Sequence, residues 1–363
     1  MTKLRVGVIG TGMMGCEHLK NLMGIDDVVI TAYSDPNEDP RQWARLTLGD
    51  LAANATEFVH HQDMLSSGLA DAVVVASPNF THKSVLDDVF AMDIPVLVEK
   101  PMCTTVEDCM SIVQAQSRRS ALTWVGLEYR YMAPIAELIR QVDGGAVGDV
   151  KMMSIREHRF PFLQKVNNWN RFSRNTGGTL VEKCCHFFDL MNVVVDARPV
   201  RVMASGGQDV NHLDELYDGE RSDILDNAFV IVDYANGVRA MLDLSMFAEG
   251  SRHEQEIVVV GSTGKVEAQI PGDGQIYIGE RSTRQVSEIP VAISDDVAHV
   301  GFHFGASFVE CQRFVDAVLH NREPDVSVTD GLWSVIIGAA AHRSIEEGRS
   351  VQISEFGMSP SLL

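Results

Sequence analysis

The sequence predicts an α/β N-terminal domain on a parallel sheet, followed by an α+β C-terminal domain with a large, mainly antiparallel open sheet. Three observations predict it. A glycine-rich turn follows the first apolar run, apolar runs then alternate with helical periodicity, and after about residue 150 short strand-like runs are separated by tight-turn residues. A chain of 363 residues is long for one core, so two domains are expected, residues 1–125 and 126–363.

The first element is the run Leu4 to Ile9, which ends in Gly10-Thr11-Gly12-Met13-Met14-Gly15, after which Leu19, Leu22 and Met23 recur at helical spacing. Strand, glycine turn and helix in this order form a dinucleotide-binding fingerprint. The first glycine permits the turn, the second admits a pyrophosphate, and the third lets helix pack on strand, with helix N–H groups facing the phosphates. A second strand, Val28 to Tyr33, leads to Asp35, about 20 residues past the last glycine, where a carboxylate binds the adenosine ribose hydroxyls. This favours NAD over NADP, although Arg41 could partly offset the repulsion of a 2′-phosphate, so NADP stays open. Asp35 could instead simply open the Asp35-Pro36-Asn37 turn. Strands at Ala72 to Ala76 and Val96 to Val98, with a helix from about Thr81 to Met92 between them, repeat the βαβ unit. Their polar ends, Ser77-Pro78-Asn79 and Glu99-Lys100-Pro101, lie where ligands bind in open α/β sheets.

The second domain is expected to hold strands at Lys151 to Ile155, Val200 to Ser205, Ala228 to Tyr234, Val238 to Leu244, Glu256 to Val260, Lys265 to Gln269 and Gln275 to Ile278. Turn signals such as Asn236-Gly237 separate them. Two helices, about Ser307 to His320 and Gly331 to Glu347, close the chain. Ahead of these, Gly177-Gly178 precedes a predicted helix from Leu180 to Val193, which puts Glu182, His186 and Asp189 on one face. That polar stripe either contacts solvent or lines a site.

Composition narrows the function. Hydrophobic residues at 45% and charged residues at 22% are those of a globular protein. A formal net charge of −20 argues against nucleic acid and anionic membrane surfaces and favours a small neutral substrate. The N-terminus runs straight into the first strand without a signal-like segment, and no apolar run is long enough to span a bilayer, so a cytoplasmic protein is expected. The six cysteines show neither a disulfide framework nor zinc spacing. Glu182, Cys184, Cys185 and His186 are all possible metal ligands, but consecutive helical residues diverge by about 100°, and no metal is expected. The acidic stretch Asp209 to Asp226 reads as a solvated loop.

The glycine fingerprint, Glu99-Lys100-Pro101 and the Gly-Gly…His-x-x-Asp segment together resemble the glucose–fructose oxidoreductase/inositol dehydrogenase/rhizopine-catabolism (Gfo/Idh/MocA) family over nearly the full chain. The resemblance implies a Rossmann domain for NAD or NADP, a substrate domain with an open sheet, and a homodimer or homotetramer formed through that sheet. It further implies that Lys100 binds the reacting hydroxyl, that His186 is the general base, and that Glu182 binds a neighbouring hydroxyl or orients the histidine. Ser77, Pro78, Asn79 and His82 match the segment near the nicotinamide and its ribose, Glu99 lies beside it, and Arg130 matches a position near the carboxamide or substrate. Glu182 stands where many members have aspartate, and Lys183, Cys184 and Cys185 replace small residues. Trp169-Asn170-Arg171 matches a loop over the cofactor.

The implied activity is oxidation of a secondary hydroxyl of a sugar, sugar derivative or inositol-like cyclic polyol. A neutral histidine, with an ordinary pKa of about 6.5, can take the hydroxyl proton, and a lysine cation can stabilise the alkoxide. Lys100 as a mere strand-end residue, and His186 as a packed core histidine, are the structural alternatives. The functional alternatives are an NAD-dependent redox glycosidase and a non-catalytic NAD-binding sensor.

Overall fold

In the computed structural model, residues 3–357 are described, and they divide into two compact units. The first comprises Met1–Tyr131 and Ile293–Leu332, the second Met132–Ala292 and Trp333–Leu363. Ile293–Leu332 thus returns to the first unit, whereas a single cut at residue 125 assigns it to the second domain.

The first unit holds six strands: β1 (Leu4–Ile9), β2 (Val28–Ser34), β3 (Thr56–Phe58), β4 (Ala72–Val75), β5 (Val96–Glu99) and β6 (Thr123–Gly126). All neighbours are parallel, in the order β3-β2-β1-β4-β5-β6. This is the doubly wound order, with its switch point between β1 and β4. Strands covered on both faces need apolar residues throughout, and all four residues of β4 are fully buried. The helices α1 (Met13–Met23), α2 (Glu38–Leu48), α3 (His61–Ser66), α4 (His82–Ala91) and α5 (Val106–Gln116) alternate with the strands. Thr105 caps α5 by accepting the Asp108 amide at 3.2 Å. The outer strand β3, of three residues, is too short for a periodicity signal.

The second unit begins with α6 (Ala133–Asp143) and β7 (Val150–His158), followed by the short helices α7 (Ser173–Thr176) and α8 (Thr179–Glu182), then α9 (Cys185–Val195). Next come β8 (Pro199–Gly207), a hairpin of β9 (Leu216–Tyr217) and β10 (Glu220–Arg221), β11 (Asn227–Tyr234), β12 (Arg239–Ser245), β13 (Gln255–Gly261), β14 (Gly264–Ile270), β15 (Gln275–Glu280) and β16 (Val286–Pro290). Helix α10 (Ala306–His320) belongs to the first unit, and α11 (Val328–Glu347) and β17 (Val351–Gln352) follow, before a short 3-10 helix at Ile353–Phe356. Nine strands form one sheet, ordered β16-β15-β14-β13-β7-β12-β11-β8-β17. Every neighbouring pair is antiparallel except β7 and β12. Alternation is clean on β11: Ala228, Val230, Val232 and Tyr234 are buried, while Phe229 and Ile231 point the other way and are exposed.

The acidic stretch Asp209–Asp226 departs from a solvated loop at its C-terminal end. Ile224 and Asp226 are buried, and the Asp226 carboxylate accepts the backbone N–H groups of Asp209, Val210 and Asn211 at 2.7–3.1 Å. A carboxylate satisfied by three backbone donors fixes a loop rather than solvating it.

Candidate functional site

At the glycine turn, each glycine has its own reason. Gly10 has φ +86°, and a Cβ there would lie 2.6 Å from the Ser77 amide and 2.7 Å from the Ala76 carbonyl. A Cβ on Gly15 would lie 2.0 Å from the Gly10 carbonyl oxygen, so α1 approaches the turn as closely as backbone allows. Gly12 meets nothing within 4 Å. Two glycines thus close the turn and the third leaves space above it. Helix α1 starts at Gly12 without a side-chain cap, which leaves its first N–H groups available to an anion.

Asp35, at the end of β2, accepts the Thr11 amide at 3.0 Å and the Asn37 amide at 2.9 Å. The carboxylate therefore joins the second strand to the glycine turn, and it also opens the Asp35-Pro36-Asn37 turn. Thr11 Oγ1 and Asn79 Nδ2, at the ends of β1 and beyond β4, are buried without a hydrogen-bond partner. Unfilled polar atoms on either side of a switch point, above an open glycine, fit a bound dinucleotide.

His82 is fully buried and spans two strand ends, with Nδ1 2.8 Å from the Pro101 carbonyl and Nε2 2.9 Å from the Ser77 carbonyl. Burial pushes its pKa below the usual histidine value, in spite of both carbonyls. Its role in the unit is that of a strut between the β4 and β5 ends. Thr81, beside it, donates to the Pro78 carbonyl and can accept from the Ser77 hydroxyl, each at 2.7 Å, which fixes Ser77 and Pro78 in turn.

Lys100 follows β5 and is half-buried, and its backbone N–H donates to Glu99 Oε2 at 3.2 Å. The other Glu99 oxygen, Oε1, lies 2.7 Å from His18 Nε2. Burial acts to raise the Glu99 pKa, but the bond to His18, with the charges of His18 and Lys100, outweighs it and holds the carboxyl at about 2. Conversely, burial acts to lower His18, and Cys311 and Glu99 together raise it well above its usual value. Glu99 and His18 are a buried ion pair beneath Lys100. Glu128 is pushed up to about 8 by burial and by the Glu99 charge, so one carboxylate is ionised here and its neighbour is protonated near neutrality. The sequence offers no signal for His18: a single histidine in a helix has no spacing to betray it. Arg130 is engaged by the Asp325 carbonyl at 2.9 Å and by Asp330 at 3.3 Å.

In the second unit, the expected Leu180-to-Val193 helix is broken. It ends as α8 at Glu182 and restarts as α9 at Cys185, with Lys183 and Cys184 between. Glu182, His186 and Asp189 are buried, at 6%, 1% and 1% exposure, so the stripe is not a solvent-facing one. Lys183 sits within the break. Its Nζ is 2.9 Å from Glu157 Oε1, and both side chains are buried, with Arg159 3.4 Å from the same oxygen. Burial, and then the Arg159 charge, lower the Lys183 pKa, while Glu157 opposes them. Asn170 and Arg171 are buried as well, the latter held by Tyr217 at 3.1 Å and Glu215 at 3.3 Å.

The second of the two glycines before α8 packs against His342. Gly177 and Gly178 have φ +80° and +85°, a Cβ on Gly178 would lie 2.3 Å from His342 Nε2, and that nitrogen accepts the Leu180 amide at 3.1 Å. Burial drives the His342 pKa down to about 4. The folded protein therefore keeps His342 neutral where the unfolded chain, at about 6.5, protonates. As pH falls from 6.5 toward 4 the unfolded state binds the extra proton, so stability drops, by up to about 1.4 kcal/mol per pH unit from this group. Denaturant unfolding across that window should show the loss, and His342→Gln should flatten it; an unchanged slope in the variant would remove His342 from the account.

Among the described residues no group of three or more His, Cys, Asp or Glu side chains could hold a metal ion, and no helix is long and apolar enough to cross a membrane.

Comparison with known proteins agrees with this geometry. A family model described as "Oxidoreductase family, NAD-binding Rossmann fold" matches residues 4–127, and one described as "Oxidoreductase family, C-terminal alpha/beta domain" matches residues 139–353. The fold and glycine turn thus define an NAD-binding oxidoreductase. The chain belongs to the Gfo/Idh/MocA oxidoreductase family. It is 26% identical to the myo-inositol 2-dehydrogenase of Thermotoga maritima, over 97% of this chain and 99% of that protein. It is 25% identical to inositol 2-dehydrogenase 1 of Saccharopolyspora erythraea, over 99% and 98% respectively. Among solved structures, levoglucosan dehydrogenase in complex with NADH and levoglucosan shares the fold at a TM-score of 0.84 and 17% identity, covering 97% of this chain and 100% of that one.

Proposed function

We propose that the protein is an NAD-dependent dehydrogenase that oxidises a secondary CH–OH group of a cyclic polyol or sugar, with the inositols as the leading substrate class. The observation that carries this is the placement of Lys100 at the carboxyl end of β5, on the same parallel sheet as the glycine turn, with Glu99 beneath it fixed by His18. Full-length similarity to proteins named inositol 2-dehydrogenase supports the substrate class. When bound, NAD supplies the hydride acceptor. Gly10, Gly12 and Gly15 make room for the pyrophosphate, Thr11 and Met13-Met14 frame the turn, and Asp35 takes the ribose hydroxyls. Ser77, Pro78, Asn79 and Glu99 form the strand ends near the nicotinamide, His82 holds them in place, and Arg130 acts beside them.

Lys100, as a cation, hydrogen-bonds the reacting oxygen and stabilises the alkoxide as the proton leaves. His186 accepts that proton, and Glu182 binds a neighbouring hydroxyl or orients the imidazole. Purified protein with NAD and a panel of inositols, hexoses and glycosides should produce reduced nicotinamide with at least one polyol or sugar. NAD-dependent aglycone release without net reduction would overturn this in favour of a redox glycosidase, and NAD binding with silence in both assays would favour a sensor.

The exposed side of the nine-stranded sheet supports a second proposal, a homodimer or homotetramer formed by pairing of this face. Met203, Phe229, Ile231 and Met241 stand exposed on the adjacent strands β8, β11 and β12. They are bordered by charges of both signs, among them Arg201, Arg239 and Asp233, as a self-complementary patch requires. Phe229→Lys with Ile231→Lys should reduce the mass measured by light scattering to that of a monomer; an unchanged mass would exclude this face.

A further inference from the structure

Beside Asp35 lies a group of charges whose arrangement exceeds what the fold requires. Arg41, on α2, is buried and donates to the Asp35 carbonyl at 2.7 Å, to Glu57 Oε1 at 3.0 Å and to Glu38 Oε2 at 2.5 Å. Arg45, one turn on, donates to Glu38 Oε1 at 2.5 Å and to Glu57 Oε2. Glu57 sits on β3 opposite Tyr33 of β2, whose hydroxyl donates to Glu57 Oε2 at 2.8 Å. Both arginine forks are therefore filled by carboxylates, and Arg41 also binds the backbone carbonyl of Asp35 itself. With Asp35 included, three carboxylates stand against two guanidinium groups.

We infer that Glu57, aided by Glu38, is a determinant of cofactor choice: it occupies Arg41 and Arg45 so that neither is offered to a 2′-phosphate. The inference rests on the NAD site proposed above. Asp35 is then only half of the discrimination. It repels the 2′-phosphate directly, while Glu57 and Glu38 withhold the bidentate donors that a phosphate needs and leave the region with net negative charge. Neutralising Asp35 alone leaves two carboxylates matched to two guanidinium groups, with no donor free. Neutralising all three frees two guanidinium forks for the same phosphate.

The test is equilibrium binding of NAD and NADP to the full chain, followed by quenching of tryptophan fluorescence, at low and high salt. Asp35→Asn should improve the NADP-to-NAD affinity ratio by only about twofold to threefold, since it removes one unit of repulsion while Arg41 and Arg45 stay occupied by Glu38 and Glu57. Asp35→Asn with Glu38→Gln and Glu57→Gln should improve it by a further factor of roughly ten, the scale of one new charge-assisted hydrogen bond. That further gain should shrink as salt rises and vanish when Arg41→Met and Arg45→Met are added together. A triple variant whose ratio equals that of Asp35→Asn, or a gain that survives loss of both arginines, would overturn the inference. Should the triple variant fail to fold, Glu57→Gln on Asp35→Asn alone carries the same test, with a gain of about threefold expected and none contradicting it. Failure of the wild-type chain to bind NAD would refute the NAD site itself, and is read separately.

Discussion

Replacing Lys100 by Met is expected to lower kcat/KM by roughly 10²- to 10⁴-fold, and His186→Asn by a similar factor, with NAD affinity nearly unchanged in both. The magnitude follows from what each group does in the proposed reaction. Without the ammonium, the oxygen that loses its proton has no positive partner. Without the imidazole, that proton has no acceptor other than water. Neither change should unfold the protein. The Lys100 backbone N–H, which binds Glu99, remains in the variant, and Asn, although smaller than histidine, keeps a polar group near the position of Nδ1. Because the two groups act on one event, the double variant should fall little further than the worse single one. Steady-state kinetics with titrated NAD checks this, and near-normal turnover in either single variant would remove that residue from catalysis.

The second large effect is a contrast between two glycines that stand two residues apart in the turn. Gly10→Ala should destabilise the first unit by several kcal/mol, because a φ of +86° costs an L-residue about 1–2 kcal/mol and the new Cβ must push against the Ala76–Ser77 backbone. Gly12→Ala should leave stability within about 0.5 kcal/mol, since its Cβ meets nothing within 4 Å. The same substitution should nonetheless weaken NAD binding by about tenfold or more, because the space it fills is the space the pyrophosphate takes. Chemical denaturation and NAD titration on the same two variants separate these effects. Equal losses of stability in both would mean that the open side of the turn has a packing role.

The N-terminal half of this account was legible in the sequence because its signals are local. Apolar runs such as Ala72–Val75, buried on both faces, and the spacing of Gly10, Gly12 and Gly15 need no partner to be recognised. Asp35 was legible by its distance from the glycines, whereas its tie to the Thr11 amide was not. What was not legible depends on long-range pairing. His18 meets Glu99 81 residues away, and His342 meets the Leu180 amide 162 residues away. Neither leaves a periodic trace. The break at Lys183 was missed because helical spacing continues through it, and Lys183 itself keeps helical dihedrals of φ −92° and ψ −44°. Strands β9, β10 and β17, of two residues each, are too short to carry a pattern at all. The clamp of Glu57 on Arg41 and Arg45 is likewise invisible until β3 is placed beside β2.

The most direct test of the central claim is transfer of label. A polyol substrate deuterated at its ring CH–OH carbons is incubated with NAD and the wild-type protein, and the nicotinamide is then analysed by mass spectrometry and NMR. The account predicts that one deuterium appears at C4 of the reduced nicotinamide and that its transfer stops in the Lys100→Met, His186→Asn double variant. Reduced nicotinamide without deuterium, or no reduction with any deuterated inositol or sugar, would contradict it.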